Sequence, residues 1–482
     1  MKRKSATPAP GVSFSRPLAL LVAGTLFMEI LDGTIIATAA PGIAADLNVR
    51  PVDINLAMTA YLITLAVGIP ISGWLAERFG TRRVFTAAIA IFTVASLLCA
   101  LSPNLLFLCA ARTLQGVGGA MMVPVGRLVV LRDAQRKEFL EAIAYLTWPA
   151  LLAPVLAPVL GGLLAPVLAP VLGGLLVSYA SWHWIFLLNL PLGVAAFLLA
   201  LKLVPQLRAR QVPPPDWVGF VLCGMALAAL VAGMELVGSD PTPWTAVVLL
   251  LLLAAAAGAG TLWWFKRARH PLLDLRALRI RTFLVGNAGG GMYRLVVNAV
   301  PFLLPLMFML AFGWSAFEAG FMTMFVFAGN VLIKPATSPM IRRFGFRAVL
   351  TLSALGGAAA LAACAFLTAH TPSVVVGTVL FLSGALRSIG FSAYNTLQFV
   401  DVPKARMAGA NTLSSTMGQV ATGLGIAVAA LTLRGTGALL GPEAPAVDSF
   451  HLTFAVLALL MLYPVLEAVA LPRTAGDEAR VK

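Results

Sequence analysis

Gly73-Trp74-Leu75-Ala76-Glu77-Arg78-Phe79-Gly80-Thr81-Arg82-Arg83 is the stretch on which the fold turns. It lies between two apolar runs, 54–75 and 84–101. Each is close to the ~20 apolar residues that cross a bilayer as a helix. Its glycines permit a tight reversal. Its three arginines are costly to carry through lipid, so they hold the loop on one side. The segment therefore reads as a short, positively charged turn between two membrane crossings. The whole chain agrees. Its 482 residues are 60% hydrophobic and 11% charged, with a mean hydropathy of +0.93. Soluble domains run nearer ~45–50% apolar and ~25% charged. A chain this apolar needs lipid as solvent, which excludes soluble enzymes, disordered chains and fibres.

Outward from this turn, apolar runs alternate with short loops, giving fourteen expected spans from 17–40 to 449–471. The first has a basic flank (Lys2, Arg3, Lys4, Arg16) and a small-residue Ala37-Thr38-Ala39 that fits a cleavage site. It is longer than a signal-peptide apolar region and carries Glu29 and Asp32, so it reads as a retained span. With fourteen crossings, 27 of the 34 basic residues fall on one side and only Arg50 and Arg434 on the other. Arg112, Arg127, Arg294, Lys334 and Arg387 lie within or near spans. That bias places both termini in the cytoplasm. The formal charge of +15 is then a topological label rather than a nucleic-acid footprint. Cys99, Cys109, Cys223 and Cys364 sit far apart in apolar runs and read as small core residues.

The expected fifth span, 142–181, is too long for one crossing. It contains LLAPVLAPVLGG at 151–162 and the same twelve residues again at 163–174. Removing one copy leaves an ordinary tilted span. The block reads as a duplication of coding sequence without a function of its own, the alternative being a purposeful extension. Reading it as two crossings would move Lys266–Arg281 to the opposite side, against the charge bias. The expected organisation is a six-helix bundle over 1–205, a linker with two extra spans over 206–281, and a second six-helix bundle over 282–482.

The opening stretch fits G-x-L-a-[D/E]-r-x-G-x-[R/K]-[R/K] and resembles the loop motif of the major facilitator superfamily, in the place where that family has it. The family's usual Asp is Glu77 here. The resemblance implies that Glu77 and Arg78, with Gly73, Gly80, Arg82 and Arg83, form a charge cluster that latches the cytoplasmic gate; the alternative is that they only fix topology. Arg342-Arg343-Phe344-Gly345-Phe346-Arg347 echoes the loop in the second half, as two homologous bundles require. Arg112-Thr113-Leu114-Gln115-Gly116-Val117-Gly118-Gly119 resembles the family's second motif. Ala157-Pro158-Val159-Leu160-Gly161-Gly162 and its copy ending Pro170-Val171-Leu172-Gly173-Gly174 resemble the antiporter motif, with Ala for its first Gly. Leu31-Asp32-Gly33-Thr34-Ile35 and Trp182-His183-Trp184-Ile185-Phe186-Leu187-Leu188-Asn189 resemble signatures of the fourteen-helix drug:proton antiporters. The expected fold is an all-α polytopic membrane protein of the major facilitator type.

By that resemblance the chain exports small molecules in exchange for protons by alternating access in a bacterial inner membrane. Asp32 is the expected proton carrier, because a carboxylate inside a bilayer costs ~2.5–3.5 kcal/mol and needs a reason to be there. Glu29, three residues earlier on the same helical face, is a second candidate, and Arg112 is expected to couple or relay; each has a structural alternative. Arg294 and Lys334 are candidates for an anionic substrate or for pairing with Asp32, and Tyr61 and Tyr394 for a cavity wall. The expected partners are a small-molecule substrate, protons and membrane lipids, with no nucleic acid; recruitment of a periplasmic adaptor stays open. No phosphate-binding P-loop, nucleophile motif or metal-ligand spacing occurs, so neither an enzyme nor a cofactor is expected. Two other readings remain: an exporter of organic acids or metal chelates, and a transport-inactive sensor.

Overall fold

Apolar runs of this length must satisfy every backbone group internally, and a helix does so within one segment. In the computed structural model, which describes residues 15–135, 138–147, 182–209, 212–237, 242–441 and 445–477, no strand occurs among the described residues. The helices are α1 (Arg16–Asp46), α2 (Asn55–Gly68), α3 (Ser72–Phe79), α4 (Thr81–Ala100), α5 (Leu105–Asp133), α6 (Phe139–Thr147), α7 (His183–Leu187), α8 (Asn189–Leu203), α9 (Trp217–Val237), α10 (Trp244–Arg267), α11 (Arg281–Leu306), α12 (Ala316–Leu332), α13 (Lys334–Cys364), α14 (Ser373–Val400), α15 (Met407–Leu440), α16 (Ala446–Leu460) and α17 (Leu462–Val469). Eleven described stretches are long and apolar enough to cross a membrane. The expected fourteen spans follow in order, the fifth represented only by α6. The duplicated block, with Pro158, Gly161, Gly162, Pro170, Gly173 and Gly174, lies outside the described residues.

The two halves repeat one plan. In the first, α5 packs on α2 and α4; in the second, α14 packs on α12 and α13. Glycines set both contacts. A Cβ on Gly116 would come within 2.8 Å of the Tyr61 carbonyl, and one on Gly384 would overlap the Val326 carbonyl. Missing side chains thus let backbones approach closely, which is how membrane helices associate where lipid gives no hydrophobic drive. The turns match too: Gly80 has φ +92° and Gly345 φ +81°, each after Phe. The backbone of Gly345 is non-helical, so α13 is two helices meeting at a kink, and the break expected between 341 and 348 is found there. The first helix reaches Asp46 rather than residue 40, because hydropathy marks the lipid-facing part of a helix and not its end.

Between the halves, α9 and α10 pack on each other, and α9 lies against α2 and α15. The two bundles meet where α3 and α5 touch α15, and where α6 touches α13 and α14. These contacts lie at the end of the molecule that carries the arginine-rich loops, called here the basic end. There the Asn411 side chain donates to the Pro124 carbonyl at 2.8 Å. Gly73 sits so close to Thr412 that a Cβ would overlap its hydroxyl. The two bundles are in contact at the basic end.

Candidate functional site

Asp32 projects from the middle of α1 and is 1% exposed. On α5, Arg112 and Gln115 are three residues apart and therefore share a face. Both turn toward α1. Arg112 Nη1 donates to Asp32 Oδ2 in a fully buried ion pair. The same nitrogen donates to Gln115 Oε1 at 2.6 Å. Gln115 Nε2 and Asn189 Nδ2 each donate to Asp32 Oδ1 at 2.9 Å. Both also reach Ser96 Oγ, at 2.8 and 3.1 Å. The Arg112 guanidinium stacks 4.2 Å from the centre of the Tyr61 ring, which places expected cavity residue Tyr61 inside this cluster. α1, α4, α5 and α8 are thus knotted around one carboxylate. Trp182, which precedes α7, donates its Nε1 to Asp46 Oδ2 at 3.0 Å. Both ends of the Trp182–Asn189 motif grip the first helix.

Glu29 lies one turn from Asp32, outside this network. Its Oε2 is buried with no hydrogen-bond partner, and so is the Tyr61 hydroxyl. The two converge on Gly119: a Cβ there would be 3.3 Å from the Tyr61 hydroxyl and 3.7 Å from Glu29 Cδ. Arg127, further along α5, attracts the Glu29 carboxylate. Two acids one turn apart therefore have different surroundings. Asp32 is paired and saturated, whereas Glu29 has a free oxygen that a proton, a water or a substrate donor would satisfy.

From the second bundle, Arg294 on α11 donates to Asn395 Oδ1 at 3.1 Å and lies 4.7 Å from the Phe391 ring centre. It repels Arg127 of the first bundle, and its Nε has no partner. Lys334 is 4% exposed, and its Nζ donates to Ser392 Oγ at 2.6 Å. Arg387 donates to the Val297 carbonyl and to Asn298 Oδ1. None of these three cations has an acid partner among the described residues. Tyr394 is placed inside the second bundle, its hydroxyl 3.4 Å from the Pro464 carbonyl and its ring 5.4 Å from that of Tyr293.

At the basic end, the motif loop binds the segment 204–209 that follows α8. Arg82 Nε donates to the Val204 carbonyl at 2.6 Å, Thr81 Oγ1 to the Pro205 carbonyl at 2.7 Å, and Thr81 N to the Leu207 carbonyl at 3.0 Å. Ala209 N returns a bond to the Glu77 carbonyl at 3.2 Å. The Glu77 side chain is half-buried and attracted by Arg132, while Arg78 and Arg83 are exposed. Gly73 of this stretch lies beside Thr412 and the Ala408 carbonyl of the second bundle. Four residues of the site were given no role from sequence. Gln115 and Asn189 stood inside motifs that marked them, and Arg127 stood out as a charge in a span. Ser96 is a lone hydroxyl in an apolar run and gave no signal.

The profile described as Major Facilitator Superfamily matches residues 22–426 and 286–478. A protein of Cronobacter sakazakii named "Putative multidrug resistance protein MdtD" is 36% identical over 459 residues, covering 94% of each chain. Its namesake in Pectobacterium atrosepticum is 38% identical over 413 residues, covering 86% of each. Among solved structures, the human organic anion transporter MFSD10 superimposes with a TM-score of 0.64 at 14% identity, covering 94% of this chain and 99% of that one. The proton:xylose symporter XylE does so with a TM-score of 0.61 at 14% identity, covering 96% of each. At that identity the last two likenesses speak to fold alone.

Proposed function

The chain belongs to the major facilitator superfamily, and from that membership we propose that it is a proton-coupled efflux antiporter for drugs and other small molecules. A multi-pass membrane transporter is the common ground of its relatives; proton exchange is the further step. The buried Asp32–Arg112 pair, with an unsaturated carboxylate one turn away, carries this reading. In the proposed cycle, the carrier is open to the outside while the basic end is closed. A proton enters from outside, neutralises Asp32 and releases substrate outward. Protonation removes the charge that holds Arg112 and loosens the tie between α1 and α5. The bundles then rock about the midplane, the basic end opens, and the proton leaves to the cytoplasm. Asp32 recaptures Arg112 as substrate loads. The proposal includes a bacterial inner membrane, cytoplasmic termini and the bundle–linker–bundle division 1–205, 206–281 and 282–482.

Asp32→Asn tests it. Everted vesicles should contain normal amounts of the variant but show no substrate uptake driven by a pH gradient. Undiminished gradient-driven transport would overturn the assignment. A second reading concerns substrate class. Among the described residues Arg294, Lys334 and Arg387 bond neutral partners alone, which favours organic acids or metal chelates over lipophilic cations. A panel of anionic, neutral and cationic compounds in proteoliposomes separates the two.

A further inference from the structure

A crevice of about 650 Å³ opens at the basic end where three parts of the molecule meet. Gly73, Trp74 and Glu77 of α3 form one wall; the linker segments 213–216 and 265–279 form the second; residues 405–412 at the start of α15 form the third. We propose that this crevice binds the phosphate-bearing headgroup of an anionic phospholipid.

The chemistry of the lining carries the argument. Lys266, Arg269, Arg276, Arg279 and Arg406 line the crevice, and all five are exposed. None has an acid partner among the described residues, although three acids, Glu77, Asp216 and Asp274, share the lining. Glu77 is attracted by Arg132, and both aspartates accept hydrogen bonds from the walls. Asp216 accepts from Gly219 N at 2.8 Å, Trp264 Nε1 at 2.8 Å and Leu272 N at 3.1 Å. Asp274 accepts from Arg276 N at 2.9 Å. Five cations thus share the crevice with three acids, and none of them forms an ion pair there among the described residues. Other arginines at this end are satisfied by carbonyls: Arg82 by Val204 and Arg281 by Ala470. A concave cluster of unpaired guanidinium groups selects phosphate, which they can grip with paired N–H donors.

Lipid is favoured over a free anion because α10 leads from the bilayer to the crevice. Leu249, Leu252, Leu253, Leu262 and Trp263 of that helix are exposed and apolar along its length, and Phe265 and Lys266 at its end enter the lining. Acyl chains can lie on the helix while the headgroup occupies the crevice. Basic pockets between membrane helices hold anionic headgroups in this way. Because all three parts contribute walls, a bound headgroup would tie the linker to both bundles.

The full chain in zwitterionic detergent–phosphatidylcholine micelles, titrated with phosphatidylglycerol, tests the site by its thermal unfolding midpoint. Three samples receive the same lipid: the unaltered chain, Arg276→Gln/Arg279→Gln, and Arg343→Gln/Arg347→Gln, which removes equal charge elsewhere on the basic end. The expected result is a saturable rise in the midpoint, lost in the first pair and kept in the second. Arg269→Gln/Arg406→Gln, which takes one cation from each of two walls, should lose it as well and stands in should the first pair fail to fold. Equal loss in the Arg343/Arg347 pair would mean a general surface-charge effect and overturn the site. So would retention of the full rise in both crevice variants. Inorganic phosphate at millimolar concentration is the remaining arm. A rise matching that of the lipid would assign the crevice to free anions and overturn the lipid proposal.

Discussion

Asp32 accepts hydrogen bonds from three side chains, and none comes from its own helix. Breaking a buried ion pair by removing one partner typically costs about 3–5 kcal/mol, because the other charge is stranded. Arg112→Met should therefore lower the unfolding free energy by about that amount, read from thermal or denaturant unfolding in detergent. Asp32→Asn/Arg112→Met should recover at least half of the loss. A double variant as unstable as Arg112→Met alone would show that Arg112 matters for packing and not for the pair. Glu29 is separable from this. Glu29→Gln keeps the pair intact, so transport should persist, but the substrate gradient sustained at a fixed pH difference should fall. An unchanged steady-state gradient would remove Glu29 from the proton path. Sequence singled out Asp32, Glu29 and Arg112 because charge in an apolar run is conspicuous. It was silent on Ser96, since a neutral hydroxyl in a span can equally bond its own helix. Tyr394 shows the converse. An amphipathic ring suits a cavity wall, yet tertiary packing decides where it points, and here it points to Pro464.

At the scale of elements, two loops of different sequence make one turn. Gly80 and Gly345 have backbone angles that essentially only glycine adopts, with ψ of 146° and 162°. Gly80→Ala and Gly345→Ala should each cost about 1–3 kcal/mol in stability, measured as a lowered unfolding midpoint. An unaffected Gly345→Ala would mean that the second turn relaxes where the first does not. These turns were legible in sequence, because a glycine among arginines between apolar runs has few other readings. The loop's partner was not. Arg82 binds the carbonyl of Val204, and every residue offers a carbonyl, so the residue type at position 204 announces nothing. The same holds for the Asn411 bond to Pro124: a span-crossing contact between halves 287 residues apart leaves no local pattern.

For the whole molecule, the joined basic end is the state that transport must leave. It rests on few contacts, the Asn411 side chain on Pro124 and the fit of Gly73 beside Thr412 among them. A net hydrogen bond contributes about 0.5–1.5 kcal/mol, so Asn411→Ala should raise the open population about 2- to 10-fold. A thiol introduced at Ala408, buried at this junction, in a chain lacking its four natural cysteines, should then react correspondingly faster with a soluble maleimide. An unchanged rate would place closure elsewhere. The hold of segment 204–209 on the motif loop also constrains biosynthesis. The ribosome makes Thr81 and Arg82 more than a hundred residues before the carbonyls that receive them. During that interval the nascent loop's donors have only water or headgroups to bind. The loop reaches its final shape only once the chain emerges past Ala209. Its assembly therefore reports that the first half has been inserted in the right order.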